Sequence, residues 1–335
     1  VTRPFDDDWR RWIAENLLLD GTPDALLQVL ASHGFTPDDA AREIGAALAS
    51  PYLQGGTRMR DRLRKRDWLL SVQSALTRLR TNGDRIERYA CLPRDAFFDR
   101  YYFSNRPVIL TGAFDDWPAR AKWSFDYFRA RCGECEVEVQ FGRDSDAQYE
   151  INQPKHKRTM RFGDYVDLVE RGGTTNDFYM TANNTSHNRV ALAALWDDVA
   201  PIEPYLDPAS PDTGFFWFGP AGTKTPFHHD LTNNFMAQVI GRKRVRLVSS
   251  LDTPAMYNDL HCYSQVDGSA LDYERFQRLK DVQVLECVIE PGDLLFLPIG
   301  WWHYVEGLDP SVTMTFINFA APNDFANTYR TYHAV

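Results

Sequence analysis

Thr225-Pro226-Phe227-His228-His229-Asp230 is the stretch from which the rest of this chain can be read. Successive side chains of a β-strand point to opposite faces, so a strand here aims His228 and Asp230 to one side and His229 to the other. A His-x-Asp pair alone is a common surface arrangement. A third donor lies far downstream, where Pro291-Gly292-Asp293 turns into the apolar run Leu294-Leu295-Phe296-Leu297 and Gly300-Trp301-Trp302 delivers His303. An imidazole set in so aromatic a wall is a costly buried polar group unless it has a partner. Two imidazoles and one carboxylate form the facial set that holds non-haem Fe(II) and leaves positions open for other ligands. The spacing therefore points to a metal centre of His228, Asp230 and His303.

The chain around this set is of ordinary globular composition, with 335 residues, 44% of them hydrophobic, enough for one large domain with a smaller appendage. A formal net charge of −9 and a pI near 5.4 argue against a general nucleic-acid binder, because no extended basic face is evident. No apolar run approaches the roughly 18 residues of a spanning helix, and the opening residues are acidic where a signal peptide would be basic and then apolar. The expectation is a cytoplasmic protein without nucleic-acid or membrane partners. Five scattered cysteines (Cys91, Cys132, Cys135, Cys262, Cys287) fit a reducing compartment. Cys132-Gly133-Glu134-Cys135 reads as the entrance to the strand that begins near Val137.

Residues 1–85 read as an α-helical module. Trp9, Trp12, Ile13 and Leu17 recur at helical spacing, and Thr22-Pro23-Asp24 and Thr36-Pro37-Asp38-Asp39 are capping sequences with proline in the first turn. The basic run from Arg58 to Arg66 is expected to be a connector, with a linker near 52–66 and one more helix from Asp67 to Leu79. From 86 to 335 short apolar segments alternate with Gly, Pro and Asn, which predicts an antiparallel sandwich or barrel. The polar stretches Gln153 to Arg158 and Asn183 to Arg189 are expected to be loops near its mouth.

Two blocks extend the metal motif. One runs from Thr225 through Ala237-Gln238 to Gly241-Arg242-Lys243-Arg244. The other joins Ser264-Gln265-Val266-Asp267 and Asp272-Tyr273-Glu274-Arg275-Phe276 to Pro291-Gly292-Asp293 and Trp301-Trp302-His303. Over about Phe97 to Pro322 the chain resembles the JmjC-type Fe(II)/2-oxoglutarate oxygenases of the cupin fold, in particular the asparaginyl hydroxylases and their bacterial relatives. The resemblance implies a mainly β, double-stranded β-helix (jelly-roll) core behind the helical module. It implies iron held by His228, Asp230 and His303, and 2-oxoglutarate held by Lys243 with Thr225 and Tyr179, near Asn234 and Asn318. A lone ammonium is a suitable point-charge anchor for a carboxylate, and an asparagine within Thr315-Phe316-Ile317-Asn318-Phe319 needs buried partners. Tyr263, Gln238 and Trp302 are the implied substrate contacts. The reaction implied consumes O2 and 2-oxoglutarate, releases succinate and CO2, and hydroxylates a substrate C–H.

The resemblance breaks at Cys262-Tyr263, where the asparaginyl hydroxylases carry an Arg-Gln pair that grips substrate. Iron and co-substrate binding are untouched by that change, whereas asparagine specificity is not carried over. The expected substrate is a protein or peptide side chain, or an amino-acid-like small molecule. Demethylation of an N-methylated lysine or arginine by the same chemistry is the alternative, and a non-catalytic metal-binding cupin scaffold is a third reading. A homodimer is a further expectation, with the N-terminal helices serving packing, dimerisation or substrate recognition.

Overall fold

The computed structural model describes residues 4–90, 92–182, 185–210 and 214–333. Cys91, Asn183 and Asn184, named above, lie outside the described residues. Contacts divide the chain into two units, Val1–Gln73 and Ser74–Val335.

The first unit is helical. Helices α1 (Asp7–Leu18), α2 (Pro23–Ser32) and α3 (Pro37–Ala49) start where capping chemistry predicts. Thr22 accepts from the Ala25 amide and Thr36 from the Asp39 amide, each followed by proline at the first helical position. Ile13, Leu26, Leu30, Phe35, Ala40 and Ile44 form their core. The linker expected near 52–66 is absent. Helix α4 runs unbroken over Pro51–Arg78, across the boundary between the units. Its Arg, Lys, Leu, Met and Gln residues are good helix formers, and they carry the helix through Gly55-Gly56 and the basic run.

The second unit adds short helices α5 (Arg94–Phe97), α6 (Pro118–Lys122), α7 (Phe125–Cys132), α8 (Gln153–His156), α9 (Phe162–Arg171) and α10 (Thr185–Ala191). Both stretches read as mouth loops thus contain structure, since α8 leads directly into a strand and Ser186 to Arg189 lie in α10. Strands β1 (Glu87–Tyr89), β2 (Val108–Thr111), β3 (Glu136–Phe141), β4 (Lys157–Arg161) and β5 (Phe178–Tyr179) come first. Then follow β6 (Phe215–Gly219), β7 (Lys224–His229), β8 (Asn234–Ile240), β9 (Lys243–Val248), β10 (Asn258–Leu260) and β11 (Tyr263–Ser264). The last four are β12 (Val284–Ile289), β13 (Asp293–Leu297), β14 (Trp302–Gly307) and β15 (Ser311–Phe316). Cys132 and Cys135 are free thiols between the end of α7 and the start of β3, and burial pushes the Cys132 thiol up to about 11.

Two six-stranded sheets have the orders β1-β2-β13-β8-β15-β6 and β10-β11-β7-β14-β9-β12, with β4-β3-β5 as a third, smaller sheet. From β6 to β9 and again from β12 to β15 the chain switches sheet at nearly every strand, the winding of a double-stranded β-helix. One core of aromatic and aliphatic side chains, including Phe97, Phe218, Phe235 and Phe296, backs the first sheet. Another, with Phe227, Val248, Trp302 and Tyr304, backs the second. Between the sheets, Val245, Leu247, Met236 and Leu295 fill one end, and the other end is hollow.

Candidate active site

The hollow end is set by local strand chemistry. β7 and β14 pair antiparallel with His303 opposite His228, then Val305 opposite Thr225. Three steps on β7 thus match two on β14, which is a β-bulge around Pro226 and Phe227, and proline lacks the N–H that a regular ladder would need. The bulge brings Thr225 and His228, which strict alternation would put on opposite faces, to the same cavity. Phe227 turns the other way and is wholly buried near Tyr304.

At the cavity, His228 Nε2 lies 3.8 Å from one Asp230 carboxylate oxygen and His303 Nε2 lies 3.9 Å from the other. These separations are too long for hydrogen bonds. The three donor atoms lie within 4.8 Å of one another. Each Nδ1 is committed elsewhere, that of His228 to the Pro226 carbonyl at 2.9 Å and that of His303 to the Trp301 carbonyl at 3.0 Å. A carbonyl can only accept, so both Nδ1 atoms carry the proton and both Nε2 lone pairs face the gap, where a metal could receive them. Burial, and then the His303 ring, hold His228 down to about 4, so it is neutral near pH 7. Burial alone would raise Asp230, but the two histidines bring it below the usual carboxylate range. His229, facing away from the donor gap, meets the edge of Trp302.

Deeper in the cavity is Lys243. In β9, Lys243, Val245 and Leu247 point inward, whereas Arg244 and Arg246 point out and pair with Glu306 at 2.8 Å and Glu286 at 2.7 Å. Lys243 is only 2% exposed and has no carboxylate partner among the described residues. It donates to the Tyr179 hydroxyl at 3.0 Å, and burial pushes its pKa down to about 7. A buried ammonium without a counter-charge is unstable unless an anion joins it. The chamber is lined by Lys243, Tyr179, Thr225, the three metal-type donors and apolar residues including Met236 and Leu297. Asn234 lines it too. It donates to Asp230 at 3.2 Å and leaves its buried Oδ1 without a partner. The residues present therefore fit a divalent cation beside an anionic co-substrate: three converging donors and one uncompensated cation.

Three of the expected site residues are elsewhere. Gln238 is fully buried, gives its amide to the Ile240 and Gly241 carbonyls at 2.7 and 2.8 Å, and accepts from Thr313 at 2.8 Å. It braces the turn at Gly241, whose φ of 68° suits glycine, and so supports Lys243 rather than a substrate. Trp302 adjoins His303 on β14 and must face the opposite side. It is wholly buried, donates to Thr253 at 3.0 Å and lines neither chamber. Asn318 lies past the end of β15, bonds the Asp207 carbonyl at 3.2 Å and borders a separate apolar pocket with Trp196 and Phe316. Tyr263 lies opposite His228 on β11 and on the wall of an outer cleft. That cleft shares Trp217, Thr225, His228, Asp230, Asn234 and Thr315 with the inner chamber.

The sequence reading missed Trp217, which donates to Thr315 at 3.0 Å on the partition between the chambers. It also missed Glu150, on the cleft wall, and the buried Arg143 that binds it at 2.8 Å. Trp217 could have been found from the alternation of Phe215-Phe216-Trp217-Phe218. Nothing local marks Arg143 or Glu150.

Residues 94–325 match the family model of the cupin-like domain. Lysine-specific demethylase 8 of Xenopus tropicalis is 33% identical over 240 residues, covering 69% of this chain and 52% of that protein. The bifunctional peptidase and (3S)-lysyl hydroxylase JMJD7 of Homo sapiens is 27% identical, covering 66% of this chain and 79% of its own. The tRNA wybutosine-synthesizing protein 5 of Gallus gallus is 26% identical, over 63% and 70%. The chain spans about half the length of lysine-specific demethylase 8 and of the lysine-specific demethylase JMJ30 of Arabidopsis thaliana. An X-ray structure of E. coli YcfD aligns over 70% of this chain and 54% of that one, at 20% identity and a TM-score of 0.40. With the β-helix core, the converging donors and the matched family model in hand, the chain belongs to the cupin-like domain family, in its JmjC branch.

Proposed function

We propose that this protein is an Fe(II)- and 2-oxoglutarate-dependent oxygenase that hydroxylates a C–H bond of a protein or peptide side chain or of an amino-acid-like molecule. The observation that carries the reading is the buried, uncompensated ammonium of Lys243 on the same chamber as His228, Asp230 and His303. A scaffold needs no such cation, whereas a dicarboxylate co-substrate does. In this reading the Nε2 atoms of His228 and His303 and the Asp230 carboxylate hold Fe(II). Lys243 and the hydroxyls of Tyr179 and Thr225 hold the far carboxylate of 2-oxoglutarate, and Asn234 orients Asp230. Met236, Leu297 and Val305 keep the chamber walls dry, and the outer cleft admits the substrate C–H past Trp217. Bound together, Fe(II), 2-oxoglutarate and O2 supply the oxidant, one oxygen atom going to the substrate and one to succinate as CO2 leaves.

Incubation with Fe(II), 2-oxoglutarate, O2 and a cell lysate tests the reading, with succinate release and +16 Da products the expected result. Absence of both, under conditions in which the protein remains folded, overturns it. N-demethylation by the same site is the second reading, favoured by the demethylase names of several relatives, and formaldehyde release without a stable +16 Da product would select it. The N-terminal helices are proposed to serve packing, dimerisation or substrate recognition. Among the described residues no helix is long and apolar enough to cross a membrane.

A further inference from the structure

We propose that Arg143 is a positioning residue for co-substrate binding, a buried guanidinium that fixes from behind the two hydroxyl donors of the inner chamber, Tyr179 and Thr225. This rests on the oxygenase reading, since the carboxylate those hydroxyls serve is that of 2-oxoglutarate.

Arg143 follows β3, and its side chain is wholly buried. Its main-chain N–H donates to the Asp177 carbonyl at 3.2 Å, two residues before Tyr179. Its Nη2 donates to Glu150 at 2.8 Å and to the carbonyl of Lys224, the residue before Thr225, at 2.7 Å. One residue is thus tied to the chain immediately upstream of both hydroxyl donors. The guanidinium carbon lies 4.3 Å from the ring centre of Tyr149 and 5.1 Å from that of Tyr179. The Tyr149 hydroxyl adds a second bond to the Lys224 carbonyl at 3.2 Å, which joins the stack to β7. The far side of Tyr179 is closed as well: a Cβ on Gly219 of β6 would fall 2.5 Å from Tyr179 Cδ2, so the ring fills the space that glycine leaves.

A role in stability alone accounts for less of this. A buried structural arginine gains most from its fork of parallel N–H···O bonds, whereas Nε and Nη1 of Arg143 have no partner among the described residues. Its plane is spent on two aromatic faces instead. Lys243 donates to the Tyr179 oxygen at 3.0 Å, and among the described residues nothing accepts the phenol's own proton, which is left for a ligand. Burial raises the Tyr179 phenol above the usual tyrosine range and the Arg143 charge opposes that rise, which favours the O–H as a donor to a carboxylate. A lysine in place of Arg143 would keep the charge but lose the plane that stacks.

The test measures 2-oxoglutarate binding to the Mn(II)-loaded protein by calorimetry, with melting curves showing that each variant is folded. Arg143→Met is expected to weaken binding about tenfold or more and Arg143→Lys by less, while Mn(II) affinity changes by no more than about twofold. In a Tyr179→Phe background the Arg143→Met loss is expected to shrink to about threefold or less, because the main hydroxyl it would misplace is gone. A purely structural role would act equally in both backgrounds. Unchanged affinity in Arg143→Met, or a loss of undiminished size in the Tyr179→Phe background, overturns the assignment. Should Arg143→Met not fold, Arg143→Lys and Gly219→Ala, which presses the Tyr179 ring from its other side, carry the test. Weaker binding that depends on the Tyr179 hydroxyl supports the assignment, and unchanged binding overturns it. A wild-type protein that binds no 2-oxoglutarate defeats the oxygenase reading, whereas wild-type binding that the Arg143 variants leave unaltered defeats the Arg143 assignment alone.

Discussion

The inner chamber and the outer cleft share a wall but are built differently. Inner donors sit on, or one residue beyond, central strands whose register is locked by hydrogen bonds on both sides. His303 lies between β7 and β9, and Lys243 between β14 and β12. The outer cleft draws on a loop residue, Glu150, on the short strand β11 and on His261, whose φ of 46° lies in the left-handed region. Rigid sheet positions hold the converging donors and Lys243, whereas loop and short-strand residues line the outer cleft. In the proposed reading, chemistry and substrate choice fall to different parts of one fold, and each can be disturbed separately.

The largest disturbance should come from the donors. Asp230→Ala or His303→Ala is expected to abolish 2-oxoglutarate consumption, measured as succinate, because each removes one of three ligands and leaves the other two short of a site. Next is Lys243→Met, expected to weaken 2-oxoglutarate binding by about 100-fold or more in calorimetry, the usual scale for losing one partner of a buried charge pair. The same substitution should raise the melting temperature of the ligand-free protein by roughly 2 °C or more, since it removes an uncompensated buried charge. A lower melting temperature together with unchanged affinity would refute the account of Lys243.

The pH dependence follows from the same residue. Burial lowers Lys243 to about 7 in the ligand-free protein, so above that pH the dianion must draw a proton onto the amine as it binds. Affinity for 2-oxoglutarate should fall by up to about tenfold per pH unit above 7, with uptake of nearly one proton in buffers of different ionisation enthalpy. Because the folded value lies below the ordinary lysine value, this group makes the ligand-free protein more stable as pH climbs from 7 towards that value. A flat binding profile from pH 7 to 9 would contradict both statements.

Thr225→Val should cost 2-oxoglutarate affinity about tenfold to a hundredfold, one hydrogen bond to a charged carboxylate. Smallest is Trp302→Phe, which removes the bond to Thr253 and should cost about 1 kcal/mol in denaturant melts while leaving KM for 2-oxoglutarate unchanged. A large rise in KM would return Trp302 to the site.

How much of this was legible in the sequence follows the same division. His228, Asp230 and His303 could be read because alternation along a strand is a local rule, and Lys243 through the resemblance to the JmjC-type oxygenases. Period two also excludes Trp302 once His303 is placed, a consequence the resemblance to relatives obscured. The bulge at Pro226 was not legible, although it is what brings Thr225 to the cavity, because register depends on the partner strand. Gln238 and Asn318 are polar residues in apolar runs, which says that they have buried partners but not which ones. The partners proved to be the β8–β9 turn and the Asp207 carbonyl. The basic run of α4 looked like a linker because charge is visible in sequence, whereas the helix depends on propensity summed over many residues. Arg143 and Glu150 are brought to the cleft by loop geometry with no periodic trace.

The central claim is that one chamber holds a metal and a dicarboxylate together. Anaerobic titration of the protein with Fe(II) and then 2-oxoglutarate measures this directly. A weak visible charge-transfer band should appear only when both are present, saturate at one equivalent of each, and be absent in His228→Ala. A wild-type protein that binds neither ligand, or a band that persists in His228→Ala, would contradict it.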